Sequence, residues 1–377
     1  MVVGAGIGGL AAAISLRKVG YLVDVFEKSP NLQEVGAGIV LYPNAVNALK
    51  QMGVYVQISQ IASFPTVARY LNWKGKVLVE MNMNDFEPGS EAITIHRLNL
   101  QKVLCDAALS LGAQIHFNKE CWTLEQDTDT VTLHFSDDTK TQTDVVIGAD
   151  GIHSKIRKNL INDGEPRYTG SFAWRGVTSS QVSYPSNQSL LILGRGKQFG
   201  ATPVGNGRVY WFATMSDEKG HQDRRSKQDV LKFFGDWTDP VNELIDATKD
   251  SEILTHNLYD RDPVLKWGEG RVTILGDAAH PMTPFMGQGG CQSLEDAIAL
   301  GHSMKVNQNP VEALRQYEKL RQERTSDFVY QSRKSEAMSM TTSRISTMLR
   351  DAILPMVPSK LIAKQLHTLA NYKMPEL

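Results

Sequence analysis

The sequence predicts an α/β protein: a Rossmann-like dinucleotide fold with an inserted antiparallel β-sheet domain and a C-terminal helical segment. Three observations carry this expectation. The chain opens on "MVVGAGIGGLAAAISL", a short apolar strand, a glycine-rich turn and a helix with a small-residue face. Strand-like and helical runs alternate over roughly residues 1–65 and 96–165, the texture of a doubly wound fold. Between about 166 and 259 that texture gives way to period-two apolar positions and short glycine turns, as in "QSLLILGRGKQFGATPVGNGRVYWFATMS".

In the first turn Gly4, Gly6 and Gly9 form a G-x-G-x-x-G pattern, with Gly8 inside it. Gly4 is expected to make the tight turn, Gly6 to let the backbone approach a pyrophosphate, and Gly9 to let helix pack on strand. The helix N-terminus then receives the phosphate charge. The next strand, "YLVDVFEK", ends in Glu27 and Lys28, and Glu27 stands where a carboxylate accepts the ribose hydroxyls of an adenosine. This pattern alone does not separate NAD from FAD. After it, Gly36, Ala37 and Gly38 give a second close backbone approach before a helix expected from Pro43 to Met52. In "HRLNLQKVLCDAALSLGA", Arg97 and Gln101 lie four apart and share a helix face, and Arg97 suits a pyrophosphate clamp.

Two later turns share one grammar. In "TDVVIGADGIHSKIR" a strand ends at Gly148 and leaves Asp150, Gly151, Ser154 and Arg157 in the turn and the following helix. A carboxylate there either orients amides and an arginine toward a dinucleotide or caps the helix. In "VTILGDAAHPMTPFMGQGG" a strand runs into Asp277, a rigid Pro284 and the bare backbone of Gly287, Gly289 and Gly290.

Composition excludes several classes. The chain has 377 residues, 41% hydrophobic, enough for two or so domains. A net charge of -1 offers no broad basic field for nucleic acid. Cys105, Cys121 and Cys291 are odd in number and widely spaced, which fits reduced structural thiols inside a cell, with no metal site and a cytoplasmic location. No apolar run approaches the roughly 20 residues needed to cross a bilayer. The brevity of the first strand places the expected true start a few residues upstream.

From Asn309 the pattern is helical, with Asn309 as N-cap, Pro310 at N1, and Ala313, Leu314, Tyr317 and Leu320 expected on one buried face. The last stretch, "STMLRDAILPMVPSKLIAKQLHTLANY", is amphipathic and is expected to pack on its own domain rather than lie on a membrane.

Read in order, "GAGIGG" with Glu27, "GADGIHSKIR" and "LGDAAHPMTPFMGQGG" resemble the class A flavin-dependent monooxygenases, the group typified by para-hydroxybenzoate hydroxylase. The resemblance extends over essentially the whole chain and is nearest to the salicylate hydroxylase-like, urate hydroxylase-like and zeaxanthin epoxidase-like branch. "VGAGIVLYPNAVNAL", "HRLNLQKVL", "FAWRGV" and "GRVYWFAT" add to it. It implies a GR2-type FAD-binding domain, discontinuous over roughly 1–68, 96–165 and 260–305. A substrate-binding sheet would take roughly 69–95 and 166–259, and C-terminal helices 306–377. FAD would lie with its pyrophosphate over Gly4, Gly6, Gly8 and Gly9, its adenosine ribose at Glu27 and Lys28, and its ribityl chain near Gly38, Arg97, Gln101 and Asp277. Asp150 and Gly151 would serve both FAD and NAD(P)H. Pro284, Gly287, Gln288, Gly289 and Gly290 would run under the isoalloxazine ring.

The implied reaction is NAD(P)H-dependent insertion of one oxygen atom of O2 into a small aromatic or electron-rich substrate through a C4a-hydroperoxyflavin. The enzyme would be a monomer or homodimer without nucleic-acid partners. Arg175, Gln198, Tyr210, Phe212, Phe285 and Pro284 are the candidates for the substrate side. The urate-type relatives place an arginine at Gln198 and an aspartate near Phe285, so the polar anchors for a purine are missing here. Two alternatives stay open: a flavin oxidoreductase of the same fold that inserts no oxygen, and a non-catalytic FAD-binding redox or interaction module.

Overall fold

In the computed structural model residues 1–32, 37–82, 91–179, 181–217, 226–359, 361–362 and 372–377 are described; Gly36 lies outside them. The first layer is a six-stranded sheet, in the order Gly268–Glu269, Val272–Ile274, Val146–Gly148, Val2–Val3, Asp24–Phe26, Gln114–His116. All of its pairings are parallel except the first. Parallel strands are covered on both faces, and Val2, Val25, Val146 and Ile274 are accordingly fully buried. The helix Ile7–Lys18 packs between this sheet and the helix Gly289–Val306. Its small residues set the distance: a Cβ on Gly9 would meet the Gly4 carbonyl oxygen at 1.9 Å. The expected helix Pro43–Met52 is present with those bounds.

One stretch departs from the expected alternation. Residues Cys121–Gln126, Val131–Phe135 and Lys140–Thr143 form a three-stranded antiparallel meander rather than strand-and-helix units. The period-two run of Val131, Leu133 and Phe135, all buried, is the physical cause.

The second layer is a seven-stranded sheet, ordered Leu254–Asp260, Arg167–Val177, Val209–Ser216, Lys197–Pro203, Gln188–Leu193, Val67–Asn72, Val77–Asn82. It is antiparallel but for one junction: Gln188–Leu193 and Val67–Asn72 run parallel, because the latter pair of strands comes from an earlier excursion of the chain. One face, with Phe172, Trp174, Phe199 and Trp211, packs on two helices, Lys227–Phe234 and Val241–Asp246. The β-layer expectation for 166–259 lacked these helices, although Ser226 and Asp229 form a capping box that announces the first. The other face looks toward the dinucleotide fold. A Cβ on Gly38 would strike the Tyr210 ring at 2.5 Å.

A 30-residue helix, Pro310–Ser339, joins the two layers. Asn309 Oδ1 accepts from the amides of Val311 and Glu312, and Ala313, Leu314 and Tyr317 are buried as expected. Leu320 is not, being 37% exposed; Arg321 takes the inward position. At the far end of the helix Ser171 Oγ donates to Glu336 at 2.7 Å, which ties it to the seven-stranded sheet.

Candidate active site

The first glycine turn opens onto a cleft of about 440 Å³, lined among others by Gly4, Gly6, Glu27, Lys28, Asp150 and Gly151. Gly4 has φ +104, and a Cβ there would meet the Ala149 carbonyl oxygen at 2.4 Å. Gly8 and Gly9 face packed atoms, with Leu275 2.8 Å from a Cβ on Gly8. Only Gly6 faces open space, with nothing within 4 Å. It is the N-cap of the Ile7–Lys18 helix, so unpaired amides and bare backbone meet there, the arrangement that accepts a pyrophosphate. Glu27 is turned to this mouth, its carboxylate accepting from the amides of Ala5 (2.8 Å) and Ser29 (2.9 Å). Lys28 is exposed beside it. Gln101 is buried and donates to the Ala5 carbonyl at 2.7 Å, which braces the turn from behind. Arg97 begins its helix with its amide donating to the Ala37 carbonyl at 2.9 Å, next to Gly38. The donors, the open glycine and the acid at the strand end fit the adenosine diphosphate part of FAD.

The two aspartate turns differ. Asp150 accepts from Ser154 Oγ at 2.5 Å and from the amides of Lys155 (2.7 Å) and Ile156 (3.3 Å), so its carboxylate caps the next helix while Gly151 lines the cleft. Burial pushes its pKa up against those hydrogen bonds. Arg157 does not point at the cleft. It pairs with Asp163 and donates to the carbonyls of Ala278 (3.0 Å) and Ala279 (2.8 Å), which binds the first turn to the second. Asp277 is exposed and makes no hydrogen bond or ion pair among the described residues. It lies at the start of the Gly289–Val306 helix, 3.8 Å from where a Cβ on Gly289 would sit. Pro284, Phe285 and Met286 form a short 3-10 turn ending at Gly287, φ +63. Pro284 and Gly287 are exposed, and Phe285 is half-buried.

Behind this loop lies a buried charge network that sequence reasoning missed. His280, from the same loop, turns inward: its Nε2 bonds Asp296 at 2.5 Å. Asp296 also accepts from the Gly276 amide at 3.0 Å and from Arg321 Nε at 2.7 Å. Burial works against the Asp296 carboxylate, but His280 and Arg321 hold its pKa at about 2. Arg321 reaches Glu295 at 2.5 Å, and Glu295 accepts from Asn44 at 2.6 Å. The Gln288 side chain belongs to this network too, bonded to Asn44 and Gln292 at 3.0 Å, so only its backbone is available to the loop side. The signal was present: two adjacent acids in "SLEDA" and the cations Arg321 and Arg324 of "KLRQER".

On the sheet face opposite, Arg175 pairs in register with Phe212, and Gln198 with Thr214. The rings of Tyr210 and Phe212 stand 6.1 Å apart on that face, as alternation requires. Gln198 is buried. The Arg175 side chain makes no hydrogen bond or ion pair among the described residues. His256 joins the same face, opposite Ala173 and one rung pair from Arg175. Its pKa is pushed down to about 3 by burial and then by Arg175 and Arg97. Sequence inspection did not single it out, since nothing local marks which face of an edge strand meets a cofactor. Among the described residues no cluster of ligands suits a metal ion. Cys105, Cys121 and Cys291 are buried and unpaired, and burial pushes the last two thiols up to about 12.

The model of the FAD binding domain family matches residues 1–332. The chain belongs to this family of class A flavin monooxygenases. Aurachin C monooxygenase/isomerase of Stigmatella aurantiaca is 34% identical over 95% of this chain and 94% of its own length. 3-Amino-4-hydroxybenzoate 2-monooxygenase of Streptomyces cremeus is 34% identical over 86% of this chain and 84% of its own. The crystal structure of Klebsiella pneumoniae HpxO complexed with FAD and uric acid matches with a TM-score of 0.91 and 29% identity, over 98% of this chain and 96% of that one. The family member described here is thus an FAD-dependent monooxygenase with the family's α/β architecture and C-terminal helices.

Proposed function

We propose that the enzyme uses NAD(P)H and FAD to insert one oxygen atom of O2 into a planar, electron-rich aromatic or heteroaromatic substrate other than urate. Bound FAD supplies the redox chemistry, taking hydride from NAD(P)H and activating O2. The chain's own residues do the rest. Gly6 and the following helix N-terminus bind the pyrophosphate, Glu27 the adenosine ribose, and Asp277 the ribityl hydroxyls. Gly289 and Gly290, first in their helix, would offer their unsatisfied amides to negative charge on the flavin ring. Tyr210 and Phe212 present flat apolar surface to the substrate, and Phe285 closes the loop side.

The observation that carries this reading is the sheet face itself, aromatic and carrying Arg175, whose side chain has no hydrogen-bond or ion-pair partner among the described residues. An aromatic ring bearing a hydroxyl or carboxylate is what such a face holds, and relatives named for aminohydroxybenzoate, hydroxynicotinate and urate act on rings of that kind. Gln198 lacks the charge that a urate anion would call for. The test is a screen of phenols, salicylates, hydroxypyridines, indoles and quinolines for stimulated NADH and NADPH oxidation, with peroxide and hydroxylated product both measured. Stimulation with product supports the proposal. Bound FAD that neither donor reduces, with any of these compounds present, refutes it.

A further inference from the structure

The helix Arg344–Ile353 and the turn Leu354–Met356 after it are built inside out. Ile345, Met348, Leu349, Ile353 and Met356 are 72, 72, 55, 54 and 80% exposed. Their spacing places them on one side of the helix. The side facing the protein is polar: Arg350 is buried and donates to the carbonyls of Gly194 (3.1 Å) and Ser339 (3.2 Å). Leu354 alone of this segment's large side chains joins the cluster of Leu78, Val79, Met81 and Leu193. A globular helix ordinarily turns its apolar stripe to the core, so a contiguous exposed stripe calls for a cover.

The rim of the stripe says what covers it. Arg344 is exposed at the start of the helix, and exposed Arg195 is held beside it by donating to the Thr342 carbonyl at 2.6 Å. Lys74 and Lys76 are exposed just ahead of half-exposed Val77, on the strand that the 354–356 turn packs against. Two of the nearby acids are paired, Asp351 with Arg350 at 2.9 Å and Glu80 with Arg69 at 2.8 Å. An apolar centre within a rim of like-signed charge repels a second copy of itself and attracts an anionic surface.

We infer that this face docks the enzyme on an anionic membrane surface, with the apolar stripe at the acyl boundary and the arginines and lysines at the headgroup phosphates. The docking is peripheral, since no described helix is long and apolar enough to cross a membrane. Leu191 and Leu193 pair in register with Gly200 and Gln198, so Leu354 seals the outer end of the sheet face assigned above to the substrate. On that reading the docked enzyme takes a lipophilic substrate from the bilayer, but the docking itself does not depend on it.

The test floats FAD-loaded enzyme with phosphatidylcholine vesicles containing one part in four phosphatidylglycerol, and with pure phosphatidylcholine vesicles. Binding to the anionic vesicles is expected, with weakening as salt rises from ~0.1 to ~0.5 M. Met348→Glu with Leu349→Glu should lower the bound fraction about tenfold while flavin content and melting temperature stay at the parental values, because both side chains already face water. Arg344→Glu should weaken binding less. No flotation with anionic vesicles, or flotation untouched by the double substitution, overturns the inference. So does a dimer in light scattering that the double substitution dissolves, which would give the face to a second copy.

Discussion

The turns at Asp150 and Asp277 follow the same plan, strand, glycine, aspartate, helix, and use their aspartates in opposite ways. Asp150 closes on the helix that follows it, through Ser154 and two backbone amides. Asp277 is left with no partner among the described residues, and its loop is held by others: Arg157 from the first turn, and Asp296 with His280 and Arg321 from behind. A carboxylate that braces its own turn has few lone pairs left for a ligand. One whose turn is braced from elsewhere is available. The cost of that availability is the buried network, in which two acids and an arginine have left water.

This contrast can be broken in four places, beginning with the largest effect. Arg321→Leu removes the cation that Glu295 and Asp296 share and leaves them only Arg324 and His280, and a loss of about 3 kcal/mol is expected in denaturant unfolding. An unchanged midpoint would show that the network is not what holds the loop. Next, Asp277→Ala should lose FAD retention, seen as a fall in flavin absorbance relative to protein, while apoprotein stability changes by less than ~0.5 kcal/mol. Full flavin content in that variant would remove Asp277 from the cofactor site. Asp150→Ala should do the reverse, costing about 1–2 kcal/mol of stability as a lost helix cap and weakening flavin binding much less.

The smallest effect tests the sheet face. His256 has a folded pKa of about 3, below the ordinary value near 6.5, so the unfolded chain binds more protons between those limits. Its stability contribution is therefore complete above about pH 6.5 and is lost as pH falls toward about 3. His256→Gln should flatten part of the decline in melting temperature between pH 6.5 and 4.5. Parallel curves for parent and variant would mean that burial, with Arg175 and Arg97 nearby, does not hold the imidazole neutral.

The loops were readable from sequence because glycine positions are local. Gly4 needs its positive φ and Gly9 its missing Cβ whatever surrounds them, and Glu27 follows from strand length. The Pro43–Met52 helix and the Asn309 cap were readable for the same reason. The meander at 121–143 and the helices at 227–246 carried usable signals, period-two alternation and a capping box, that the broader α/β and β textures overrode. Leu320 and Arg321 show the sharper limit. Hydropathy puts the leucine inside and the arginine outside, and the fold does the opposite because Glu295 and Asp296 arrive from another helix.

The sequence by itself determined the chemistry on offer: three glycine turns, an acid at the second strand, an aromatic β layer and an amphipathic tail. Backbone freedom and side-chain type are properties of single residues, so they survive without a fold. Only the tertiary structure decided where each group points. Among the described residues Asp150 is engaged while the side chains of Asp277 and Arg175 have no partner, Arg157 clamps rather than binds, and the tail turns its apolar stripe outward. Orientation depends on partners distant in sequence, and those partners meet only when the two layers pack.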